Sequence, residues 1–137
     1  MRVIIDTNVL IDYFQNREKY ADAAEAILRL CSIGEIDGYI SALSIPNLVY
    51  IMRKELTQEK IKKVLSTIEI VLTVEDLKAE DMESAINLDI ADFEDALQSV
   101  CASRVDADYI ITRNEKDFKN SIVPPISPLD FITKYSK

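Results

Sequence analysis

The chain opens on the stretch Met1-Arg2-Val3-Ile4-Ile5-Asp6-Thr7-Asn8-Val9-Leu10. Three consecutive β-branched residues, Val3 to Ile5, are typical of a short strand that is buried on both faces. Asp6 ends that strand, because aspartate disfavours strands and is ionised at neutral pH. Thr7 and Asn8 then offer side-chain oxygens that cap a helix. Asp6 therefore lies at the carboxyl edge of a predicted sheet, where open α/β folds bind their ligands. From this stretch alone, two interpretations of Asp6 are equally good: it helps to cap the helix, or its carboxylate has a function.

The totals predict one globular domain that spans residues 1–137. Of these residues, 48% are hydrophobic and 29% are charged, which is typical of a soluble protein. No apolar run approaches the ~20 residues that a membrane span needs. Asp6 and Asp12 interrupt the amino-terminal apolar run, so we expect no signal peptide, no membrane contact and a cytoplasmic location. Cys31 and Cys101 lie among apolar neighbours on predicted helices, which indicates buried thiols and no disulfide framework.

The most informative feature of the composition is the absence of histidine. This excludes Ser-His and Cys-His nucleophile pairs, imidazole acid–base catalysis and histidine-bearing zinc sites. Any chemistry must use carboxylates, lysines, hydroxyls or a hard cation that is held by oxygen atoms. The net charge of −8 comes from 24 acidic and 16 basic residues. This negative net charge argues against non-specific binding to duplex nucleic acid. A local basic rim could still exist on such a protein, and the need for solubility alone would also explain the negative charge.

Beyond the opening stretch, predicted strands alternate with predicted helices. The predicted strands are Gly38–Ala42, Ile70–Thr73, Tyr109–Thr112 and a short edge segment, Val123–Ile126, that two prolines limit. Ser44, Thr57, Asp92 and Ser127 are placed to cap helices, and Gly34 is placed to end one. The predicted helix from about Asp76 to Leu88 directs Leu77, Met82, Ala85 and Ile86 inward. The next predicted helix directs inward Phe93, Ala96, Leu97, Val100 and Cys101. This alternation predicts a mainly parallel sheet with helices on both faces.

Acidic residues occur at three places near the carboxyl edge of that sheet. They are Asp6, the segment Asp92-Phe93-Glu94-Asp95 at a helix start, and the segment Asn114-Glu115-Lys116-Asp117 after the fourth strand. Acids also favour helix amino-termini, for about 0.3–1 kcal/mol each at exposed sites, so Asp92 and Glu94 have a structural explanation. Carboxylates from separate segments repel one another unless a cation or a proton lies between them, and Mg²⁺ or Mn²⁺ would supply that charge.

Three motifs together carry a resemblance to a known family. Ile4-Ile5-Asp6-Thr7-Asn8, Asp92-Phe93-Glu94-Asp95-Ala96-Leu97 and Ile111-Thr112-Arg113-Asn114-Glu115-Lys116-Asp117-Phe118 occur in the order and spacing of PIN domains. The chain resembles this family of metal-dependent ribonucleases, which includes VapC-like toxins of toxin–antitoxin pairs. The resemblance covers nearly the whole chain. It implies a three-layer α/β/α sandwich, with acids around one or two divalent ions, that cleaves RNA. It also implies an antitoxin partner and a homodimer.

The resemblance assigns roles by matching position. Asp6, Asp95 and Asp117 match acids that hold the ion, and Asn114 matches a polar position beside the last of them. Asp92 and Glu94 are further candidate metal ligands, whereas Thr112, Arg113 and Lys116 are candidates for contacting the substrate. Arg17, Arg53 and Lys54 are weaker candidates, because exposed bases on helices usually contribute only to solvation.

One position departs from the family pattern. Where such proteins usually carry a second acid, early in the helix after the second strand, this chain has Asn47. A neutral amide oxygen can contact a hard ion or its water shell, but it adds no charge. The departure leaves three outcomes open: weaker metal binding, recruitment of Glu94 or Asp92, and loss of catalysis.

The rival functions come from different classes. An aspartate-based phosphatase needs a second acid two positions after its nucleophile, and Thr7-Asn8 supplies none. A receiver-type phospho-acceptor domain needs an aspartate after the third strand, where Glu75 is a poor substitute. A catalytically silent PIN-like scaffold that binds a partner protein remains open. Manganese-dependent RNA cleavage that requires Asp6 separates the nuclease from all three.

Overall fold

The computed structural model describes residues 1–136, and its centre is a five-stranded sheet. The strands are β1 (Arg2–Ile5), β2 (Asp37–Ser41), β3 (Thr73–Glu75), β4 (Tyr109–Ile111) and β5 (Pro125–Ile126). Their order across the sheet is β3-β2-β1-β4-β5, and every neighbouring pair is parallel. The helices are α1 (Thr7–Phe14), α2 (Ala21–Ser32), α3 (Ser44–Met52), α4 (Gln58–Val71), α5 (Ala79–Ile86), α6 (Phe93–Arg104) and α7 (Pro128–Tyr135). A 3₁₀ helix, Glu115–Phe118, follows β4.

Both faces of β1 are buried, as the run of β-branched residues predicts. Val3 and Ile5 belong to one apolar cluster, which also contains buried residues of α1, α2, α3, α4 and α7. Ile4 points to the opposite face and packs with Cys101 of α6 and with Phe118. Alternate side chains of a strand point to opposite faces of a sheet, so β1 contributes to two separate cores. The three-layer α/β/α sandwich with a mainly parallel sheet is therefore confirmed.

The central position of β1 brings the ends of distant segments together. Ile5 lies opposite Ile111 in the parallel register, and the backbone N–H of Asp6 donates to the Ile111 carbonyl at 2.9 Å. On the other side of β1, β2 ends at Ser41 along the same edge of the sheet. The residues that follow β1, β2 and β4 consequently share one edge.

Most of the predicted helix ends are confirmed. The side chains of Thr57, Asp92 and Ser127 accept hydrogen bonds from the backbone N–H three residues further on, at 3.3, 3.1 and 3.1 Å. Gly34 follows α2 with a φ of 78°, a conformation that glycine adopts without strain. Cys31 and Cys101 are buried free thiols, as expected.

Two predicted caps are wrong. Ser44 is the first residue of α3, and Leu43 takes the capping position without a side-chain hydrogen bond. At α1 the capping position belongs to Asp6, and Thr7 is already the first helical residue. The Asp6 side chain makes no capping hydrogen bond, so a capping role does not explain this carboxylate.

The predicted third strand is present, but its predicted bounds, Ile70–Thr73, are wrong. Helix α4 continues to Val71, and β3 begins at Thr73. The Ile70 side chain is 85% exposed, so the run of apolar residues does not mark a buried strand here. Packing of Ile61 and Ile68 against the core extends the helix beyond what local β propensity predicts.

Helix α5 is shorter than predicted and turns a different face inward. It begins at Ala79, and the Asp81 side chain fixes this start by accepting a 2.9 Å hydrogen bond from the Lys78 N–H. Asp81 is buried, because Arg104 of α6 binds it at 2.8 Å. This ion pair draws the polar face toward α6. Of the inward residues predicted for α5 only Ala85 is buried, and Leu77, Met82 and Ile86 are exposed. On α6 the predicted inward residues Ala96, Val100 and Cys101 are buried, whereas Phe93 is exposed. Across residues 1–136, no helix is long and apolar enough to cross a membrane.

Candidate functional site

Asp6 is held in place by the strand beside it. Thr112, immediately after β4, donates a 2.7 Å hydrogen bond from its hydroxyl to Asp6 Oδ2. The same hydroxyl oxygen accepts the backbone N–H of Asn114 at 3.0 Å. Thr112 is fully buried. This geometry gives Thr112 the role of positioning Asp6, in place of the substrate contact that the sequence suggested.

The carboxyl group of Asp6 lies in an environment that opposes its ionisation. Burial raises the pKa of Asp6 above its ordinary value, and the negative charge of Asp117 adds to that effect. Hydrogen bonds from Thr112 and from the backbone of Thr7 act in the opposite direction. The protein therefore orients the Asp6 carboxylate and leaves it short of positive charge.

Asp95 lies in the first turn of α6, and its surroundings oppose ionisation of its carboxyl group more strongly. Its backbone N–H is bound by the Asp92 cap, which fixes the start of the helix. Burial is the largest cause that raises the pKa of Asp95, the negative charges of Asp92, Asp6, Asp117 and Glu94 add to it in that order, and together they bring the pKa to about 7. The charges of Asp6 and Asp117, the other two acids that the sequence singled out, therefore both act on Asp95.

Two polar cavities lie on either side of Asp95. The smaller, about 70 Å³, is lined by Asp6, Thr7, Ser41, Leu43, Ser44, Asn47, Glu94, Asp95 and Gln98. The larger, about 430 Å³, is lined by Asp89, Ile90, Ala91, Asp92, Asp95, Lys116, Asp117, Lys119 and Asn120. Asn47 thus shares a cavity with Asp6, on the side where the family pattern expects an acid. Lys116 and Lys119 form a basic rim beside Asp117.

Asn114 takes part in the site through its backbone. Its N–H donates to Thr112, and its carbonyl accepts the N–H of Asp117 at 3.0 Å. These two bonds fix the turn between β4 and the 3₁₀ helix that carries Asp117.

Arg113 has a partner within the protein. Its guanidinium binds the buried carboxylate of Asp12 through hydrogen bonds of 2.6 and 3.1 Å, and it lies 4.2 Å from the centre of the Tyr20 ring. Arg17 approaches the same carboxylate at 3.5 Å. Because Asp12 is completely buried, losing Arg113 would leave a buried charge with only this weaker contact. The structure thus gives Arg113 a structural role, because its guanidinium is bound to Asp12 and lies against the Tyr20 ring.

Sequence reasoning missed Gln98, one turn after Asp95. It is 6% exposed, it lines the smaller cavity, and it lies near enough to Asp6 to lower the pKa of that carboxyl. Within residues 1–136, its Nε2 atom and Asn8 Oδ1 are the buried side-chain polar atoms without a hydrogen-bond partner. A glutamine amid the apolar residues of a buried helix face was the available signal, because buried amides normally have partners.

The donor chemistry of the site suits a hard divalent cation. Asp6, Asp95 and Asp117 supply carboxylate oxygens from three segments, and the ion pairs found among residues 1–136 involve none of these acids, so Mg²⁺ or Mn²⁺ would relieve their charge. Among residues 1–136, no three histidine, cysteine, aspartate or glutamate side chains are grouped closely enough to form a ready set of direct ligands. An ion at this site would therefore complete its coordination with water, as Mg²⁺ usually does.

Comparison with known proteins places the chain among related folds. The family model described as "PIN domain" matches residues 2–116. Three solved structures are similar over most of their length. The first is VapBC2 of Rickettsia felis bound to a promoter DNA fragment, with a TM-score of 0.73 and 20% identity over 93% of this chain and 98% of that one. The second is a toxin–antitoxin complex from Klebsiella pneumoniae, with a TM-score of 0.69 and 22% identity over 92% and 97%.

The third is VapC20 of Mycobacterium tuberculosis, a toxin that cleaves the sarcin-ricin loop, with a TM-score of 0.63 and 13% identity over 79% and 86% of the two chains. At these identities, the likeness to solved structures extends to the fold. No curated protein matches the sequence.

Proposed function

The chain belongs to the PIN-domain family, and from that premise we propose that it is a divalent-metal-dependent ribonuclease that hydrolyses RNA phosphodiester bonds. The observation that carries the proposal is that Asp95 shares one cavity with Asp6 and another with Asp117, and that burial together with the charges of Asp92, Asp6, Asp117 and Glu94 raises its pKa to about 7. A fold does not retain such repulsion for stability. It is typical of a site that is completed by a cation.

The residues would divide the work by position. Asp6 and Asp95, with Asp117, would hold Mg²⁺ or Mn²⁺, partly through water. The bound ion would lower the pKa of a water and neutralise charge that develops on the phosphate. Thr112 keeps the Asp6 carboxylate in one orientation. Lys116 and Lys119, beside Asp117, would bind the phosphates of the substrate. Asp92 caps α6, so we assign it to positioning Asp95.

Asn47 and Glu94 would complete the side of the smaller cavity. Asn47 is neutral. Glu94, in the first turn of α6, is the third acid that lines this cavity, together with Asp6 and Asp95. We infer that Glu94 contributes charge to the hydrated ion where the family pattern expects an acid at position 47.

The experiment that tests this function is RNA cleavage by the purified protein. We expect a single-stranded RNA to be cut in the presence of Mn²⁺ or Mg²⁺ and to stay intact with excess EDTA. The Asp6→Asn and Asp95→Asn variants should lose activity by at least about 100-fold, because each removes a charge from the ion site. Asp22→Asn, which makes the same change on the exposed face of α2, is the matched control and should cleave at the rate of the wild type.

A second outcome would support the rival function. If the folded wild type cleaves no RNA with either metal, the chain is a catalytically silent PIN-like scaffold that binds a partner protein. The uncharged Asn47 is the observation that favours this rival.

We also infer that the nuclease acts as the toxin of a toxin–antitoxin pair in the cytoplasm. Two of the similar structures are toxin–antitoxin complexes. The chain has an apolar cavity of about 260 Å³ between α1, α2 and α4, where an apolar helix face of an antitoxin would fit; its lining includes Leu10, Tyr13, Phe14, Leu28, Ile68 and Val71. Induced expression should arrest growth, and Asp6→Asn should relieve the arrest.

Sedimentation of the purified protein would test the homodimer that the family resemblance implies.

A further inference from the structure

Helix α3 leads away from the site and carries an aromatic ring, and two bases follow its last turn. Leu43 and Asn47 line the smaller cavity beside Asp6. Tyr50 follows Asn47 at position i+3 and so lies on the same helix face, and Arg53 and Lys54 come directly after the last helical residue, Met52. Tyr50 lies about 4.5 Å along the helix axis from Asn47, since each residue adds ~1.5 Å. We call Asn47, Tyr50, Arg53 and Lys54 the α3 stripe.

The aromatic residue of the α3 stripe is open to solvent. The Tyr50 side chain is 53% exposed, and its ring is not part of a buried core. The guanidinium carbon of Arg53 lies 4.5 Å from the ring centre, and Lys54 Nζ lies 5.5 Å from it. These cation–π contacts hold both positive charges next to the ring.

The two bases of the α3 stripe are available to an outside anion. The ion pairs found among residues 1–136 use other bases: Arg17, Arg29, Arg104 and Arg113. On a chain with a net charge of −8, two adjacent cations beside the acidic site form a local positive area. Lys116 and Lys119 form a second one on the far side of Asp95. Of the two areas, the α3 stripe holds its bases against an exposed aromatic ring.

We propose that the α3 stripe binds the single-stranded RNA next to the cleaved bond, with one unpaired base stacked on Tyr50 and the flanking phosphates bound by Arg53 and Lys54. This inference rests on the proposed function, because it takes RNA as the substrate. Stacking requires a base whose face is free, so a paired base inside a duplex does not fit. An aromatic ring next to bases is the usual platform for single strands and tolerates any sequence. The substrate is therefore an unpaired segment that crosses the site from the α3 stripe to Lys116.

The binding test uses the Asp6→Asn protein, so that the RNA stays intact during the measurement. The probe is a fluorescein-labelled single-stranded RNA of 12 nucleotides and mixed sequence, and its anisotropy gives Kd in Mg²⁺ buffer. Adding Tyr50→Ala should raise Kd by about 5- to 100-fold, the range for losing one stacked base. Adding Tyr50→Phe keeps the ring and should leave Kd within about twofold. Tyr135→Ala, an aromatic removal on α7 at the carboxyl-terminal end of the chain, is the matched control and should also leave Kd unchanged.

The charges are tested by the salt dependence of the same binding. Arg53→Gln with Lys54→Gln should reduce the slope of log Kd against log salt by about 1.4, because each phosphate contact on a single strand contributes about 0.7. Lys62→Gln with Lys63→Gln removes two charges from exposed positions of α4 and should leave the slope as it was. A fully paired RNA of the same length should bind more weakly and should respond little to Tyr50→Ala.

Each result supports or overturns the inference. Equal single-strand affinity with and without Tyr50, or an equal loss for the duplex, contradicts a base stacked on this ring. If the wild type cleaves RNA and needs Asp6 while Tyr50→Ala keeps the parent affinity, only the α3 stripe is wrong. If the wild type neither cleaves nor binds RNA, the proposed function fails and this inference fails with it. Tyr50→Phe and the Arg53/Lys54 pair keep the test valid if Tyr50→Ala does not fold.

Discussion

The hydroxyl of Thr112 donates a 2.7 Å hydrogen bond to Asp6 Oδ2 and so joins two residues that lie 106 positions apart. The bond links the residue after β1 to the residue after β4, at the edge where parallel strands present functional groups. It uses the Thr112 hydroxyl as a donor while the backbone N–H of Asn114 uses the same oxygen as an acceptor. One buried hydroxyl therefore orients the first acid of the site and the turn that carries Asp117.

Removing this hydroxyl should weaken both stability and catalysis. Thr112→Val keeps the shape but leaves the Asp6 oxygen and the Asn114 N–H without their partner. We expect the free energy of unfolding to fall by about 1–3 kcal/mol, the cost of an unsatisfied buried group. RNA cleavage should fall by about 10- to 100-fold, because an outer partner of a metal ligand is lost. Thr112→Ser keeps the hydroxyl and should restore most of both. Urea unfolding and RNA cleavage rates, measured on the same protein samples, check both effects. If Thr112→Ser loses as much stability and activity as Thr112→Val, the effect comes from packing and not from the hydroxyl.

The raised pKa of Asp95 predicts how the stability of the metal-free protein changes with pH. The pKa is about 7 in the folded protein and 3.8 ordinarily, so between these values the folded state binds more protons than the unfolded chain. The free energy of unfolding should therefore decrease as the pH rises through this window. Solvent screening at this partly exposed group limits the change to roughly 1 kcal/mol. Thermal unfolding in EDTA at pH 5 and pH 8 should show a lower Tm at pH 8, by a few degrees. Asp95→Asn should reduce that difference, and an unreduced difference would assign it to other groups.

Divalent ions should stabilise the folded protein by neutralising the same acids. Millimolar Mg²⁺ or Mn²⁺ at pH 8 should raise Tm by several degrees, because a ligand that binds only the folded state adds about 2.7 kcal/mol at 100 times its Kd. Asp95→Asn should lose most of this response, whereas the Asp22→Asn control should keep it. If Asp95→Asn unfolds the protein and the wild type ignores both ions, Asp95 is only a structural residue of the α6 start.

Asn47 offers a test in the opposite direction, because a substitution there should add function. Asn47→Asp adds a charge to the smaller cavity with nearly the same side-chain shape. Mn²⁺ affinity should rise by about tenfold or more, since one nearby charge contributes at least ~1.4 kcal/mol. Half-maximal RNA cleavage should need correspondingly less Mn²⁺. In EDTA the variant should have a lower Tm, because the new carboxylate faces Asp6 and Glu94. No change in either metal affinity or Tm would place Asn47 outside the ion's surroundings.

The sequence predicted the central strand and its edge better than the helices around them. Val3 to Ile5 predicted a strand buried on both faces with Asp6 at its end, because β-branched runs and a terminal acid are local signals. The sequence could not indicate that Arg104 would pair with Asp81, and this pair exposes the apolar face of α5 that was expected inside. Gln98 was missed for the same reason. Its neighbours on α6 predicted a buried helix face, but only the fold, which packs Cys101 of α6 with Ile4 of β1, places its amide in one cavity with Asp6.

The most direct test of the central claim, that Asp6 and Asp95 act on one reaction at one ion, is a double-mutant cycle on the rate of Mn²⁺-dependent RNA cleavage. Residues that act as a unit have non-additive effects, so either single change removes what the other supports. We predict that Asp6→Asn and Asp95→Asn each lower the single-turnover rate by about 1,000-fold or more. The double variant should be no slower than the slower single variant. The account is contradicted if either single variant keeps a rate within about tenfold of the wild type, or if the two losses simply multiply in the double variant.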